Sequence, residues 1–157
     1  MKKLIALLLA LCCLFVLSAC GEAEKPEESK DLDLHALSQQ MQEKLGVTIP
    51  ELNQNMVLNM YGLSTEECAE MLVYSDYDAT RCNEIWLIKA VDEAALEQVK
   101  TLAQSRVDSL LDQSRNYNAD VFAASEEARI ETRGLYLLLV VTTAGEAGDI
   151  AELFLNA

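Results

Sequence analysis

The chain has 157 residues, of which 26 are acidic and 12 basic, and its formal net charge is −14. This charge opposes binding to nucleic-acid phosphates and to anionic lipid head groups, and it favours a solvated surface, cationic partners or divalent cations. The length suffices for one ordinary domain that buries a core without metals or disulfides.

The first nineteen residues have the three-part pattern of a secretory signal. Two lysines precede an unbroken apolar run at residues 4–17, and two small residues follow. The run is too short for a comfortable membrane-spanning helix, which needs about 20 apolar residues. The chain turns acidic after Cys20 without a basic stop-transfer cluster. The pattern predicts a cleaved signal peptide at residues 1–19.

The end of this leader reads Leu17-Ser18-Ala19-Cys20 and resembles the lipobox of bacterial lipoproteins. The resemblance implies that the Cys20 thiol receives a diacylglycerol, that a dedicated peptidase cuts before Cys20, and that Cys20 becomes the first mature residue. Two or three acyl chains hold a protein stably on a membrane, whereas a single chain binds reversibly. The alternative is an ordinary secretory cleavage site in which Cys20 is incidental.

Residues 20–31 are predicted to form the lipidated cysteine and an acidic tether, and residues 32–157 the folded domain. Residues 21–31 contain one proline, five acids and no large apolar side chain. Eleven residues reach at most about 36 Å when extended, so the domain would sit close to the membrane. Cleavage after residue 19 removes two lysines and no acid, which leaves 10 basic and 26 acidic residues and a charge of −16.

Residues 32–45 predict an amphipathic helix, because large apolar residues recur at helical spacing. These are Leu34, Leu37, Met41 and Leu45. Asp31 or Asp33 can cap the start of this helix, and Gly46 can end it. His35, the single histidine of the chain, falls in the first turn. It is interpreted as an exposed helix residue, since no second histidine or nearby cysteine is present to share a metal.

The next part of the chain predicts a hairpin. Residues 47–63 are irregular in polarity and are interpreted as loop with a short helical turn or strand. A turn at 64–67 leads to a short strand at 69–75, the polar stretch 76–83 is a connection, and 84–91 is the second strand. The two strands predict an antiparallel hairpin with a long loop.

Cys68 and Cys82 are the two cysteines outside the leader and the lipobox, and they are predicted to remain unbridged. In this hairpin Cys82 pairs near Tyr77, which lies about 30 Å from Cys68 along an extended strand. A disulfide tolerates Cα atoms no more than about 7 Å apart. Both thiols should therefore be free.

The clearest helix of the sequence follows at about residues 92–116. Its first turn is acidic, one face is apolar and the other carries charged and polar residues. An alternating strand then ends at a turn formed by Arg133 and Gly134. Residues 135–142 are apolar on both alternating faces, which predicts a central strand.

A turn at residues 145–148 precedes a closing helix that Asp149 is expected to cap. The complete order is helix, two strands, long helix, two strands, helix. It predicts an α+β single domain with a four-stranded, mainly antiparallel sheet of two hairpins. A long central helix and flanking N- and C-terminal helices would pack on this sheet.

No catalytic, cofactor-binding or metal-binding motif is found in the sequence. The six glycines are scattered at linkers and turns, and one histidine leaves no Ser/His/Asp or Cys/His arrangement to propose. The stretch from Asp76 to Thr80 begins like a calcium loop. Arg81, however, stands where that loop needs glycine, and Leu87 where it needs glutamate, so a solvated hairpin loop is the better interpretation.

Four aromatic residues fall near one end of the predicted hairpin. They are Tyr61, Tyr74, Tyr77 and Trp86. They can line a binding groove, and core packing with cross-strand pairing explains them equally well.

Three patterns in the mature domain have a counterpart in a known family. They are Glu84-Ile85-Trp86-Leu87-Ile88-Lys89, then Arg106 in a long helix with Tyr117 after it, and Gly134-Leu135-Tyr136-Leu137-Leu138. With them the run from Tyr61 to Phe154 resembles a family of small lipoproteins from Gram-positive anaerobes of the clostridial type, defined by a domain of unknown function. The resemblance implies no catalytic residues, and it agrees with the lipobox, since members typically begin with one.

These features together predict a lipid-anchored protein on the extracytoplasmic face of the cell membrane. We expect a non-catalytic binding or interaction module, not an enzyme, with no cofactor. The expected partners are the membrane, through the lipid on Cys20, and another envelope protein, but not nucleic acid. The alternatives are an envelope enzyme with an unrecognised site and capture of a cationic ligand or metal by the acidic surface.

Overall fold

Residues 31–78 and 80–157 are described by a computed structural model. The predicted leader, Cys20 and the tether up to residue 30 lie outside the described residues. The described part contains five helices and four strands. They are α1 (Leu34–Leu45), α2 (Gln54–Tyr61), β1 (Cys68–Tyr77), β2 (Cys82–Ala90), α3 (Glu93–Ser114), α4 (Ala119–Glu126), β3 (Arg129–Arg133), β4 (Tyr136–Thr142) and α5 (Ala147–Asn156).

The four strands form one antiparallel sheet in the order β1-β2-β4-β3. The strands β1 and β2 form the first hairpin, and β3 and β4 form the second. Strand β4 of the second hairpin lies beside β2 of the first. The chain therefore leaves β2, passes through α3 and α4, and returns at β3 on the far side of β4. The predicted α+β arrangement of a four-stranded antiparallel sheet with helices is confirmed.

The two faces of the sheet are both covered, which explains why β2 and β4 are apolar on both alternating sides. One face packs against α2, α3 and α4, and its core includes Val57, Trp86 and Leu110. The other face packs against α1 and α5, and its core includes Met41, Leu87 and Phe154. The predicted central position of β4 is confirmed by the burial of all its residues.

The first helix begins and ends as the sequence predicts. The Asp33 side chain accepts a hydrogen bond from the Ala36 N–H, and Gly46 ends the helix in the left-handed region at φ 66°. Asp31 does not cap the helix. Its carboxylate accepts a hydrogen bond from the Tyr136 hydroxyl and pairs with Lys89 at the end of the sheet.

The predicted long loop of the first hairpin is wrong. Asp76 pairs with Asn83 and Tyr77 with Cys82, so only residues 78–81 connect the strands. Asp78 closes this short loop, because its Oδ1 accepts hydrogen bonds from the N–H groups of Thr80 at 2.7 Å and Arg81 at 3.0 Å. The predicted pairing of Cys82 with Tyr77 is confirmed.

The start of the closing helix and the segment after α3 also differ from the prediction. The closing helix begins at Ala147, so Asp149 lies in its first turn and is not the cap. Asp149 instead pairs with Lys44 of α1 at 3.0 Å. Helix α4 was not predicted, although Asn118 caps it by accepting hydrogen bonds from the N–H groups of Asp120 and Val121.

Residues 47–63, predicted as loop with a short helical turn or strand, contain an isolated β-bridge and the eight-residue helix α2, which is longer than predicted. Glu51 bridges Tyr74 of the edge strand β1, and the Leu52 N–H donates to the Val73 carbonyl at 2.8 Å. Helix α2 follows directly, with the Asn53 side chain as its N-cap. This segment therefore covers the outer edge of β1 before it crosses onto the sheet face.

Candidate functional site: a buried ion pair beneath an exposed apolar helix

The site is organised around Glu84, a carboxylate in the middle of the sheet. Strand β2 has neighbours on both sides, and its period of two places Glu84 on the same face as Cys82 and Trp86. That face is covered by α2 and α3, and Glu84 is 0% exposed. A charge in this position requires a partner, because the cost of removing it from water is several kcal/mol per ion, on the order of the stability of a domain.

Arg106 of α3 is that partner. Its Nε donates to both Glu84 carboxylate oxygens, at 3.0 and 3.1 Å, and its Nη2 donates to Oε2 at 2.8 Å. The indole Nε1–H of Trp86 donates to Oε1 at 2.9 Å. Burial lowers the pKa of Arg106, but the hydrogen bonds and charge of Glu84 outweigh it, and the pKa is raised overall.

Tyr61, the last residue of α2, contacts both Trp86 and Arg106 of this cluster. Its ring lies 4.8 Å from the Trp86 ring, and the Arg106 guanidinium lies 5.2 Å from the Tyr61 ring centre. Burial and the negative charge of Glu84 raise the pKa of Tyr61 to about 12, so its hydroxyl remains protonated at neutral pH. The cluster ties α2 and α3 to the same point of the sheet.

The Glu84 carboxylate accepts four hydrogen bonds from Arg106 and Trp86. The direct consequence of these bonds is structural: they fix where α3 lies on the sheet and hold the C-terminal end of α2 through Tyr61. The C-terminal end of α2 is thereby held against α3 and the sheet.

The exposed positions of α2 carry large apolar residues. Met56 is 44% exposed, Leu58 47% and Met60 54%, whereas Val57 is the buried residue of the helix. Met56 and Met60 are four residues apart and are neighbours on the helix surface. Leu58 lies on the other side of the helix, about 200° around the axis from Met56 and about 160° from Met60 at 3.6 residues per turn. We call the side chains of Met56 and Met60 the α2 surface. Residues 52–65, which include it, contain no charged side chain in a chain that is 24% charged.

A recess of about 140 Å³ adjoins the α2 surface. It is lined by Met60 and Tyr61 on one side and by residues of α3 on the other, namely Leu102, Ser105, Arg106 and Ser109. The α3 residues here are uncharged apart from Arg106, whose charge is paired with Glu84. The exposed Met60 therefore lies beside a small recess in which the charge of Arg106 is paired with Glu84.

The aromatic groove suggested by the sequence does not form. Tyr61 and Trp86 meet on the face covered by α2 and α3. Tyr74 belongs to the opposite face, where its hydroxyl lies 3.1 Å from the Ser38 hydroxyl. The side chain of Tyr77 is outside the described part. The core interpretation of Tyr61, Tyr74 and Trp86 is the one that the structure bears out.

The other residues singled out from the sequence lie apart from this cluster. His35 is exposed on α1. Cys68 and Cys82 are free, buried and at opposite ends of the hairpin, as predicted. In the hairpin loop, Arg81 pairs with Asp76 and with Asp78, both at 3.1 Å. The lipidation residue Cys20 lies outside the described residues.

Across residues 31–78 and 80–157, no three His, Cys, Asp or Glu side chains lie close enough together to hold a metal ion. Within the same residues, no helix has the length and apolar character needed to cross a membrane. Neither finding bears on the leader.

The Glu84–Arg106 pair was not predicted, although the sequence contained signals for both residues. Glu84 precedes four large apolar residues in a strand that is buried on both faces. Arg106 falls on the apolar face of α3, four residues before the buried Leu110. Two opposite charges at core positions of a strand and of the helix that follows it indicate a buried pair, but not which atoms meet.

Comparison with protein families shows the family of the chain. The family described as Domain of unknown function (DUF4358) matches residues 42–142, which is more than half of the chain. Comparisons with curated proteins and with solved structures gave no match. The matched residues include β1, β2, α3 and β4 and both members of the buried ion pair. The chain belongs to this family of domains of unknown function.

Proposed function

We propose that the chain is a membrane-anchored lipoprotein whose folded domain acts as a non-catalytic interaction module on the extracytoplasmic face of the cell membrane. The observation that carries the interaction role is the exposure of Met56 and Met60, which are neighbours on one side of α2. Large apolar side chains that are exposed side by side on a folded domain offer a contact for another protein. The anchor rests on the lipobox ending at Cys20.

The anchor would strengthen a contact made through the α2 surface. A lipidated Cys20 and a tether of about 36 Å reach hold the domain near the membrane. A partner on the same membrane then meets the α2 surface at high effective concentration, so that a weak contact is sufficient. The buried ion pair contributes by fixing the helix that presents this surface.

The anchor is tested by labelling cells with a traceable fatty acid. We expect the wild-type chain to incorporate the label and to fractionate with membranes, and the Cys20→Ala variant to do neither. Incorporation of no label by the wild type would contradict lipidation, whatever the result for the domain.

The interaction role is tested separately by adding charge to the α2 surface. Met56→Asp and Met60→Asp place a carboxylate on exposed positions, so the fold should be retained while an apolar contact is lost. Leu155→Asp is the matched control, because Leu155 is 45% exposed on α5, away from α2. Crosslinked complexes from intact envelopes should disappear with the α2 variants and persist with the control. Turnover of an envelope-derived small molecule by the purified protein, with equal complexes in all variants, would favour an enzyme instead.

A further inference from the structure

The outer edge of β3 is open. Strand β3 comes last in the order β1-β2-β4-β3, so it pairs with β4 on one side only. At the opposite edge of the sheet, residues 50–52 cover part of β1, and the Ser75 N–H donates to the Pro50 carbonyl at 3.0 Å. Within the part of the chain that the structure describes, no backbone segment covers β3 in this way. An edge strand of this kind can pair with a strand of another chain.

The hydrogen bonds of β4 show which residues of β3 carry the open backbone groups. The Ala90 N–H donates to the carbonyl of Leu135, next to β4, at 2.9 Å. Odd-numbered residues along β4 therefore turn their backbone groups toward β2, and even-numbered residues turn theirs toward β3. The even-numbered residues of β4 pair with the odd-numbered residues of β3. Consequently Ile130 and Thr132 turn their N–H and C=O groups outward, away from the sheet.

The side chains of β3 carry an alternating charge pattern. On the face covered by α1 and α5 they are Arg129, Glu131 and Arg133. On the other face lie Ile130, which packs against the core beneath α3, and the exposed Thr132. Among the described residues, neither Arg129 nor Glu131 belongs to a salt bridge. Charges on an edge strand oppose pairing with most other strands, so this edge favours a strand of complementary charge order.

A second copy of β3 has the complementary order in one antiparallel register. When Ile130 of one copy lies opposite Ile130 of the other, their outward backbone groups bond to each other. Arg129 of each copy then faces Glu131 of the other, at positions where opposite Cα atoms are about 4.5 Å apart and side chains are closest. A shift of the pairing by two residues toward the turn would instead place Glu131 opposite Glu131 and Arg129 opposite Arg133. Like charges would oppose that register.

A groove beside Ile130 adds apolar surface to the same contact. Its volume is about 440 Å³, and its apolar lining consists of Val107, Leu111, Ala128 and Ile130, with polar and charged residues around them. The twofold axis of an antiparallel strand pair is perpendicular to the sheet, so the grooves of the two copies would lie side by side. Centring the pair on Ile130 buries apolar surface, whereas centring it on the exposed Thr132 does not.

We propose that two copies of this chain associate edge to edge through β3, in the antiparallel register that places Ile130 of one copy opposite Ile130 of the other. The two four-stranded sheets would then continue into one another. Two ion pairs, each between Arg129 of one copy and Glu131 of the other, select this register. The contact goes beyond the proposed function, since it uses neither the α2 surface nor the lipid anchor.

The test is disulfide formation by the full chain that carries Ile130→Cys, together with Cys20→Ala so that the lipid anchor plays no part. Opposite Cα atoms of a hydrogen-bonded antiparallel pair are about 5.5 Å apart, which a disulfide spans. Thr132→Cys is the matched control on the same face. In this register its two copies are offset by four residues, about 14 Å, which is too far for a disulfide. Under mild oxidation we expect a severalfold higher yield of dimer from Ile130→Cys, with all other thiols identical in the two variants.

Charge reversal tests the register independently. In the Ile130→Cys chain, either Arg129→Glu or Glu131→Arg alone places like charges opposite each other twice and should lower the dimer yield about tenfold. The two reversals together exchange the signs and should restore the yield. Fluorescence of Trp86, the single tryptophan, which is 0% exposed in the core, shows whether each variant keeps its fold.

A dimer yield from position 132 that equals or exceeds that from position 130 would overturn the inference. A double reversal that leaves a folded chain with the low yield of the single reversals would overturn it as well. Crosslinking of position 130 only to a different protein would also do so, and it would assign the open edge of β3 to an extended segment of that protein.

Discussion

Replacing Arg106 tests whether the Glu84–Arg106 pair holds the domain together as its geometry indicates. Arg106→Met keeps much of the side-chain volume but removes three hydrogen bonds from a carboxylate that is 0% exposed. Breaking a buried pair in this way leaves an uncompensated charge and costs about 3–5 kcal/mol in the free energy of unfolding. That loss is large against a typical total of about 5–15 kcal/mol.

A second variant separates the buried charge from the lost packing. In Glu84→Gln with Arg106→Met the charge is gone, and the amide carbonyl can still accept the hydrogen bond of the Trp86 indole. The remaining cost should be that of an amide N–H₂ without sufficient acceptors, about 1–3 kcal/mol. The double variant should therefore be more stable than Arg106→Met alone.

Urea denaturation followed by tryptophan fluorescence measures these free energies. Arg129→Met is a control, because exposed Arg129 of β3 donates to the backbone carbonyls of Glu127 and Ala128 and should lose less than about 1 kcal/mol. A cost below about 1 kcal/mol for Arg106→Met, or a double variant less stable than that single variant, would refute the role assigned to the pair.

Two further predictions concern local features of the fold. Stability should fall as the pH rises from about 9 to 12, because burial raises the pKa of Cys82 to about 12 and the unfolded chain loses this proton first. Urea titrations at several pH values should show that Cys82→Ala reduces this slope by about one proton, or about 1.4 kcal/mol per pH unit, and an unchanged slope would refute the assignment. Gly46→Ala should cost about 1 kcal/mol, since Gly46 has a φ of 66° and no atom blocks the added methyl group. Gly148→Ala within α5 is the control, because that site is also open, has no positive φ and should gain slightly; equal effects of the two changes would exclude backbone strain as the cause.

Where the hydrophobic pattern was strong, the sequence was sufficient to predict the element. Helix α1 follows from apolar residues at helical spacing between Asp33 and Gly46, and β4 follows from a run that is apolar on both faces. Both signals are local, because the spacing of apolar residues along the chain shows whether one face or both faces of an element are buried.

Helices α2 and α4 show where such signals weaken. Helix α2 buries only Val57 completely and exposes methionine and asparagine alike, so no apolar stripe marks it. Helix α4 has eight residues, and its signal was the capping residue Asn118. In both cases short helices are stabilised by tertiary contacts more than by their own sequence.

The site was less predictable than the fold, because it too depends on tertiary contacts between elements. That Glu84 faces the core follows from the period of a strand, but its bond to Arg106 depends on how α3 lies across β2. The α2 surface depends on which side of a short helix the sheet covers. The predicted hairpin loop was too long by two residues at each end. Asp76 and Asn83 are polar, but they pair with each other and extend β1 and β2.

Photo-crosslinking from position 60 tests the central claim, that the anchored domain makes its contacts through the α2 surface, most directly. A photoreactive residue is placed at position 60 or at position 155, in the otherwise wild-type chain and in the Cys20→Ala variant. We expect a discrete crosslinked product from position 60 in the anchored chain, a weaker one in the Cys20→Ala variant, and none from position 155. The same products from both positions, or a product from position 60 that is unchanged by Cys20→Ala, would contradict the claim.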